Sequence, residues 1–196
     1  LMNCEHRYLS LELHSDESFA IIKRLPGVPY SYMLREGVSL SDIDFPAGLE
    51  FPTTEDSGSI IGDSVDNIFS AFFISSALKD FLCSIPELDD HIQYLPFAIV
   101  NAEGHRLPGD YYLANVLPSF DCFDTERGGY KRHPKTGKVW RIRTIEVTGS
   151  KIPSTAMIFR LGEDKARIIF RSDLVDAIKA NGFTGLSVYA MGATLP

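Results

Sequence analysis

The residues best equipped by type for chemistry gather in one short stretch, where Asp121 and Asp124 flank Cys122 and Phe123. Two carboxylates at that spacing, joined by Asp89, Asp90 or His91, would offer ligands to a metal. Cys122 beside Asp121, with His105 or His133 as base, would make a thiol nucleophile. A buried structural thiol is the plainer reading of the same cysteine. Arg160 stands inside the apolar run Ile158-Phe159-Arg160-Leu161. A cation there needs a carboxylate, and Asp121 or Asp124 could form that structural ion pair. A pocket of Asp121, Asp124 and Arg160 would be the site of a small enzyme or ligand-binding domain. Against this stand the missing motifs. The chain has no G-x-x-x-x-G-K-S/T phosphate loop, no G-x-G-x-x-G, no G-x-S-x-G elbow, no H-E-x-x-H and no C-x-x-C pair. Residue chemistry alone favours a non-catalytic binding protein, with no cofactor and no metal.

Binding chemistry is easier to find, because charge is unevenly divided. Residues 1–126 hold 21 Asp/Glu against 6 Lys/Arg, and residues 127–196 hold 5 against 13. The first part includes Asp42, Asp44, Glu50, Glu55, Asp56 and Asp63 within a Pro/Gly-rich segment, a candidate acidic face for a basic partner. The second includes Arg127, Lys131, Arg132, Lys135 and Trp140, a candidate docking hairpin in which cations surround an aromatic anchor. The two parts could equally attract one another within one folded unit. A nucleic-acid role for the basic stretch is disfavoured by a pI of about 5.2.

The elements that must position these residues are those of a soluble domain. With 196 residues and 44% hydrophobic content, the chain can hold a core without disulfides. No apolar run approaches the ~20 residues of a membrane helix, and no secretory signal is visible at the start, where Met2 is expected to be the native first residue. Cys4, Cys83 and Cys122 are odd in number and far apart, so free thiols in a reducing cytoplasm are expected. Alternation predicts a strand over 8–13 with Leu9, Leu11 and Leu13 on one face. Asp63 or Ser64 is expected to cap a short helix through 69. A central helix starts near Ser75 or Ser76, its stripe formed by Ile74, Leu78, Phe81, Leu82 and Ile85, and Pro86 ends it. Strands follow over 92–100 and 111–117, then a basic hairpin over 127–143, then a hairpin of 157–161 with 166–170. Ser172 is expected to cap a helix over 173–180, and a last strand runs from 183 to 189. The doublets Tyr111-Tyr112 and Phe72-Phe73 read as core. Hairpins with a few short helices and no βαβ alternation indicate α+β, a single domain over 1–196 with a mostly antiparallel sheet.

Five of these segments, in order, carry a likeness. They are Ile74-Ser75-Ser76-Ala77-Leu78-Lys79-Asp80, then Gln93-Tyr94-Leu95-Pro96-Phe97, then Tyr111-Tyr112-Leu113-Ala114-Asn115-Val116-Leu117 leading into Asp121-Cys122-Phe123-Asp124. Ile158-Phe159-Arg160-Leu161 comes next, and Ser172-Asp173-Leu174-Val175-Asp176-Ala177-Ile178-Lys179 leads to Gly182-Phe183-Thr184-Gly185-Leu186. Together they resemble the bacterial polymorphic-toxin immunity family eleven over roughly residues 60–190. The likeness divides the chain into a variable strand- and loop-rich part, 1–60, and a family-like core, 61–196. It implies a cytoplasmic immunity protein whose partner is a cognate secreted toxin, of contact-dependent or type VI systems, rather than nucleic acid or membrane. The matching residues read as scaffold, with Ser76 and Ser172 as caps.

Overall fold

The computed structural model describes residues 6–12 and 16–194. Met2, Cys4 and Leu13 lie outside them. In chain order the elements are β1 (Tyr8–Glu12), β2 (Ile21–Ile22), β3 (Glu50–Pro52), β4 (Ser64–Asn67), β5 (Phe73–Ser75) and α1 (Ser76–Cys83), then β6 (Ile92–Val100), β7 (Tyr111–Val116) and β8 (Ser119–Phe120). The ribbon strands β9 (Gly129–Arg132) and β10 (Val139–Thr144) follow, then β11 (Ile158–Leu161), β12 (Asp164–Arg171), α2 (Ser172–Ala180) and β13 (Ser187–Ala190). The α+β expectation holds. Most pairings are antiparallel, but β2 with β4, β3 with β6, and β8 with β11 run parallel.

Six strands in the order β2-β4-β5-β7-β6-β3 form a sheet whose edges meet, because Ile22 of β2 bridges Thr53 just past β3. The result is a small closed barrel filled by side chains. Phe51 and Phe73 stack on Phe97 at 4.7 and 4.9 Å between centroids, and Phe45 meets Phe51 edge-on. The period of two sorts each strand: Phe73, Tyr111 and Leu113 fill the barrel, while Ile74, Tyr112 and Ala114 face outward.

That outer wall meets a second sheet, ordered β13-β1-β12-β11-β8. Between them lies a core of Leu11, Ile158, Ile168 and Phe170, closed by Leu78 and Leu82 of α1 and by Leu174, Val175 and Ile178 of α2. Leu9 and Leu11 share this face of β1, as alternation requires. The opposite face of the second sheet, with Tyr8, Phe159, Leu161 and Ile169, is covered by Cys122, Phe123, Ile142, Ile145 and Ile152. The fold is thus barrel, sheet and covering layer, with one core at each junction and one inside the barrel.

Three local expectations are corrected. Residues 64–67 are strand, not helix: all four are buried, and Asn67 spends its amide on Val65, Phe69 and Ala71 of its own turn. Ser75 rather than Ser76 caps α1, accepting from Leu78 N at 3.2 Å, and the helix closes at Ser84 before Pro86 opens a 3₁₀ turn. Ser172 is the first residue of α2, not its cap. Strand β12 runs straight into that helix, and Arg171 at the junction forks onto Asp173 at 2.7 and 2.9 Å.

Candidate docking surface

Between β2 and β3 the chain makes a long excursion that stops one mouth of the barrel. Leu34, Leu40, Phe45 and Leu49 turn inward and join the barrel core. The backbone is held by polar side chains of the barrel wall: Gln93 accepts from Leu40 N at 2.9 Å and donates to Leu40 O at 2.8 Å, and Asn115 donates to Val38 O at 2.8 Å. Asp44 closes the next turn by accepting from the N–H and hydroxyl of Ser41, which hold its carboxyl below the usual range. With one side fixed, this plug presents the other. Tyr32 is 56% exposed, Ile43 is 76% exposed, Val38 is also exposed, and the Tyr30 and Tyr32 rings meet edge-on. Adding Ile60 and Ile68, six of the seven exposed large hydrophobics among the described residues fall within 30–68. Concentrated exposed apolar side chains rimmed by charge mark interaction surfaces, whereas scattered ones do not.

The acidic set divides on contact with the structure. Asp42, Glu50 and Glu55 are exposed and form no ion pair. Asp56 pairs with Lys23 at 2.8 Å on the surface, and Asp44 is occupied by its turn. Asp63 is engaged within the fold: its carboxylate accepts from Ser75 Oγ, Thr184 N and Thr184 Oγ at 2.7, 2.9 and 3.2 Å, tying the barrel to the loop before β13. The sequence reading missed Tyr30, Tyr32, Val38, Ile43, Ile60 and Ile68. Their signal was present as large apolar residues in a Pro/Gly-rich segment with no helical or strand period to bury them.

The basic hairpin forms as β9 and β10, pairing Lys131 with Trp140 and Arg132 with Val139. Trp140 is 42% exposed, Arg141 stacks its guanidinium on that ring at 4.5 Å, and His133 meets it at a steep angle. Tyr130 packs on Phe123 and so ties the ribbon to the covering layer.

The third cluster does not assemble. Arg160 is fully buried, but neither Asp121 nor Asp124 reaches it. Its Nε donates to Val116 O at 2.8 Å, one terminal nitrogen to Lys165 O at 2.8 Å, and the other to Leu34 O at 3.0 Å. Three main-chain carbonyls thus take the place of the expected carboxylate. Burial lowers this guanidinium to about 10, and Glu36 opposes the shift. Asp124 instead caps a turn, accepting from Glu126 N and Arg127 N, while Asp121 lies against the Gly162 turn. Cys122 is buried and its thiol is pushed up to about 12, chiefly by desolvation, so it is held as a thiol and not a nucleophilic thiolate. Among the described residues no group of three or more His, Cys, Asp and Glu is gathered as a metal site.

All six ion pairs among the described residues join partners on the same side of the 126/127 boundary. Across that boundary Glu36 acts on Arg160 and Glu87 on Arg171 without an ion-pair contact. No described helix is long and apolar enough to cross a membrane.

A search of curated proteins gives no match. The model of the Immunity protein family (Imm11) matches residues 6–193, a span that takes in the plug, the ribbon and both sheets. This chain belongs to the Imm11 immunity protein family.

Proposed function

We propose that this protein is a cytoplasmic immunity protein that binds a cognate secreted antibacterial toxin, delivered by contact-dependent or type VI secretion, and neutralises it without catalysis by covering it with the plug face. Family membership supports the immunity role. The observation that carries the docking assignment is the set of exposed Tyr30, Tyr32, Val38 and Ile43 on the plug beside the unpaired carboxylate of Asp42, with the exposed, unpaired Glu50 and Glu55 following in the chain. Such a surface fits a basic face with apolar sockets, as on an enzyme that handles phosphate. The carboxylates steer encounter, and the tyrosines and Ile43 supply desolvated anchors.

The test is expression of the neighbouring gene product with and without this chain, followed by isolation of the pair and binding kinetics. The expected result is rescue with a stable complex. Reversing Asp42, Glu50 and Glu55 together should slow association about tenfold at low salt and flatten its salt dependence. Tyr32→Ala and Ile43→Asp should instead raise the dissociation rate. Kinetics unchanged in all these variants would remove the plug from the interface. Rescue without any complex would replace inhibition by an enzyme that repairs the toxin's damage.

A further inference from the structure

The plug leaves the ribbon unexplained, and the ribbon carries a different chemistry. Lys131, Arg132, Lys135, Lys138, Arg141 and Arg143 have no carboxylate within ion-pair distance; only Arg127 does, with Glu146 at 3.6 Å. Two of these guanidiniums lie on aromatic rings. Arg141 sits 4.5 Å from the Trp140 centroid, and Arg132 sits 5.3 Å from that of Tyr130 while donating to its hydroxyl at 2.9 Å. A guanidinium laid on a ring keeps its in-plane N–H groups directed outward. The Arg141 guanidinium makes no hydrogen bond, so its fork is open in the form that takes a carboxylate through two parallel bonds. The pairing register shifts between Trp140 and Thr144, and within that irregularity Arg141 adopts φ 52°. Among the described residues the sheet has two strands, in the order β10-β9. Thr194 bridges Thr144 at the far end of β10, and no other described strand pairs with β9.

We propose that the β9–β10 ribbon is a second binding site, specific for an acidic polypeptide segment in extended conformation. The segment adds along β9, with its carboxylates on Arg141 and the neighbouring cations and Trp140 as the apolar anchor. Two features favour this partner over nucleic acid. One face of each ring already carries a guanidinium, which leaves less ring surface for stacking bases. The chain as a whole bears a net charge of −7, so a long polyanion meets the acidic part, whereas a short peptide within a Debye length of ~8–10 Å feels mainly the ribbon. The site stands whether or not the plug holds the toxin.

Trp140 is the only tryptophan, so its fluorescence in the full chain reports this site directly. The probe is a blocked peptide of alternating Glu and Thr, compared with its Gln counterpart and with oligothymidylate. A saturable change with the Glu peptide that weakens with salt, and a response to the Gln peptide weaker by about tenfold or more, is the expected result. Arg141→Asn, which removes the fork and tolerates positive φ, and Lys131→Glu should each weaken binding by about tenfold while leaving the melting temperature in place. No response to the Glu peptide, equal response to the Gln peptide, or unchanged affinity in both variants would overturn the proposal. Tighter binding of oligothymidylate than of the Glu peptide would overturn it in favour of nucleic acid.

Discussion

Replacing Arg160 by Met tests how the plug is held. The methionine fills much of the same volume but strips donors from the carbonyls of Val116, Lys165 and Leu34, which belong to the barrel, the second sheet and the plug. A buried carbonyl left without a partner costs roughly 1–3 kcal/mol, so the two buried ones, of Val116 and Leu34, cost about 4 and the water-accessible one of Lys165 about 1. Removing the charge offsets part of this. The guanidinium is shifted from 12.5 to about 10 by burial, and at ~1.4 kcal/mol per unit this is roughly 3 kcal/mol of unfavourable charge burial. The net expectation is a loss of about 2 kcal/mol, or roughly 4–8 °C in melting temperature for a chain of this size. Because one bond ends on Leu34, the plug should loosen first. Hydrogen exchange at 34–45 should rise before the global transition, and toxin affinity should fall although no docking residue has changed. Arg160→Lys should recover little, since one ammonium cannot reach three carbonyls on three segments. Urea unfolding that loses less than ~1 kcal/mol, with exchange at 34–45 unaltered, would refute the clamp.

Other substitutions test other joints. Asn67→Ala should cost about 2–4 kcal/mol by chemical denaturation, because the buried amide makes four hydrogen bonds within its own turn. Gly37→Ala should destabilise the plug, because Gly37 has φ +65° and an added Cβ would stand 2.7 Å from Arg160 Cδ; an unchanged melting temperature would contradict this. Thiol labelling followed by peptide mapping should modify exposed Cys83 in the native protein and spare Cys122 until denaturant is added. The Asp44 carboxyl is lowered by its bonds from Ser41, so its contribution is complete above the ordinary value of 3.8 and is lost as pH falls below that through the depressed folded value. The Ser41 amide and Ile43 methyl resonances should therefore move together at a pH below 3.8, and movement above it would contradict the sign.

What the sequence made legible was whatever repeats along one element. Leu9 with Leu11, and Leu174 with Ile178, show their buried faces by spacing alone. The ribbon was legible because Gly, Pro and Lys between aromatic flanks leave few alternatives to a hairpin. Residues 64–67 failed because burial on both sides erases alternation, and Asp63 followed by Ser64 imitates a cap. Arg160 failed for another reason. The sequence shows the cation and its need for acceptors, but main-chain carbonyls leave no mark in it, so carboxylates were the visible candidates. Closure of the barrel was equally hidden, since it rests on parallel pairings between segments far apart in the chain. For the docking surface, the charge could be read and the division of the plug into inner and outer side chains could not.

That division bears on how an immunity protein can be specific. Leu34, Leu40, Phe45 and Leu49 fix the plug by burial, while Gln93 and Asn115 hold its backbone. None of those contacts uses the side chains of Tyr30, Tyr32, Asp42 or Ile43, which contribute little to folding where they stand exposed. On the proposed docking, substitution of the outer set should change what the surface recognises at a stability cost within about 0.5 kcal/mol, and substitution of the inner set should change whether the surface forms. Discrimination between toxins needs such independence, because rejecting a wrong partner requires placing charge or bulk where the fold does not resist it. The exposed carboxylates of Asp42, Glu50 and Glu55, which form no ion pair, are free in the same way to act on the encounter.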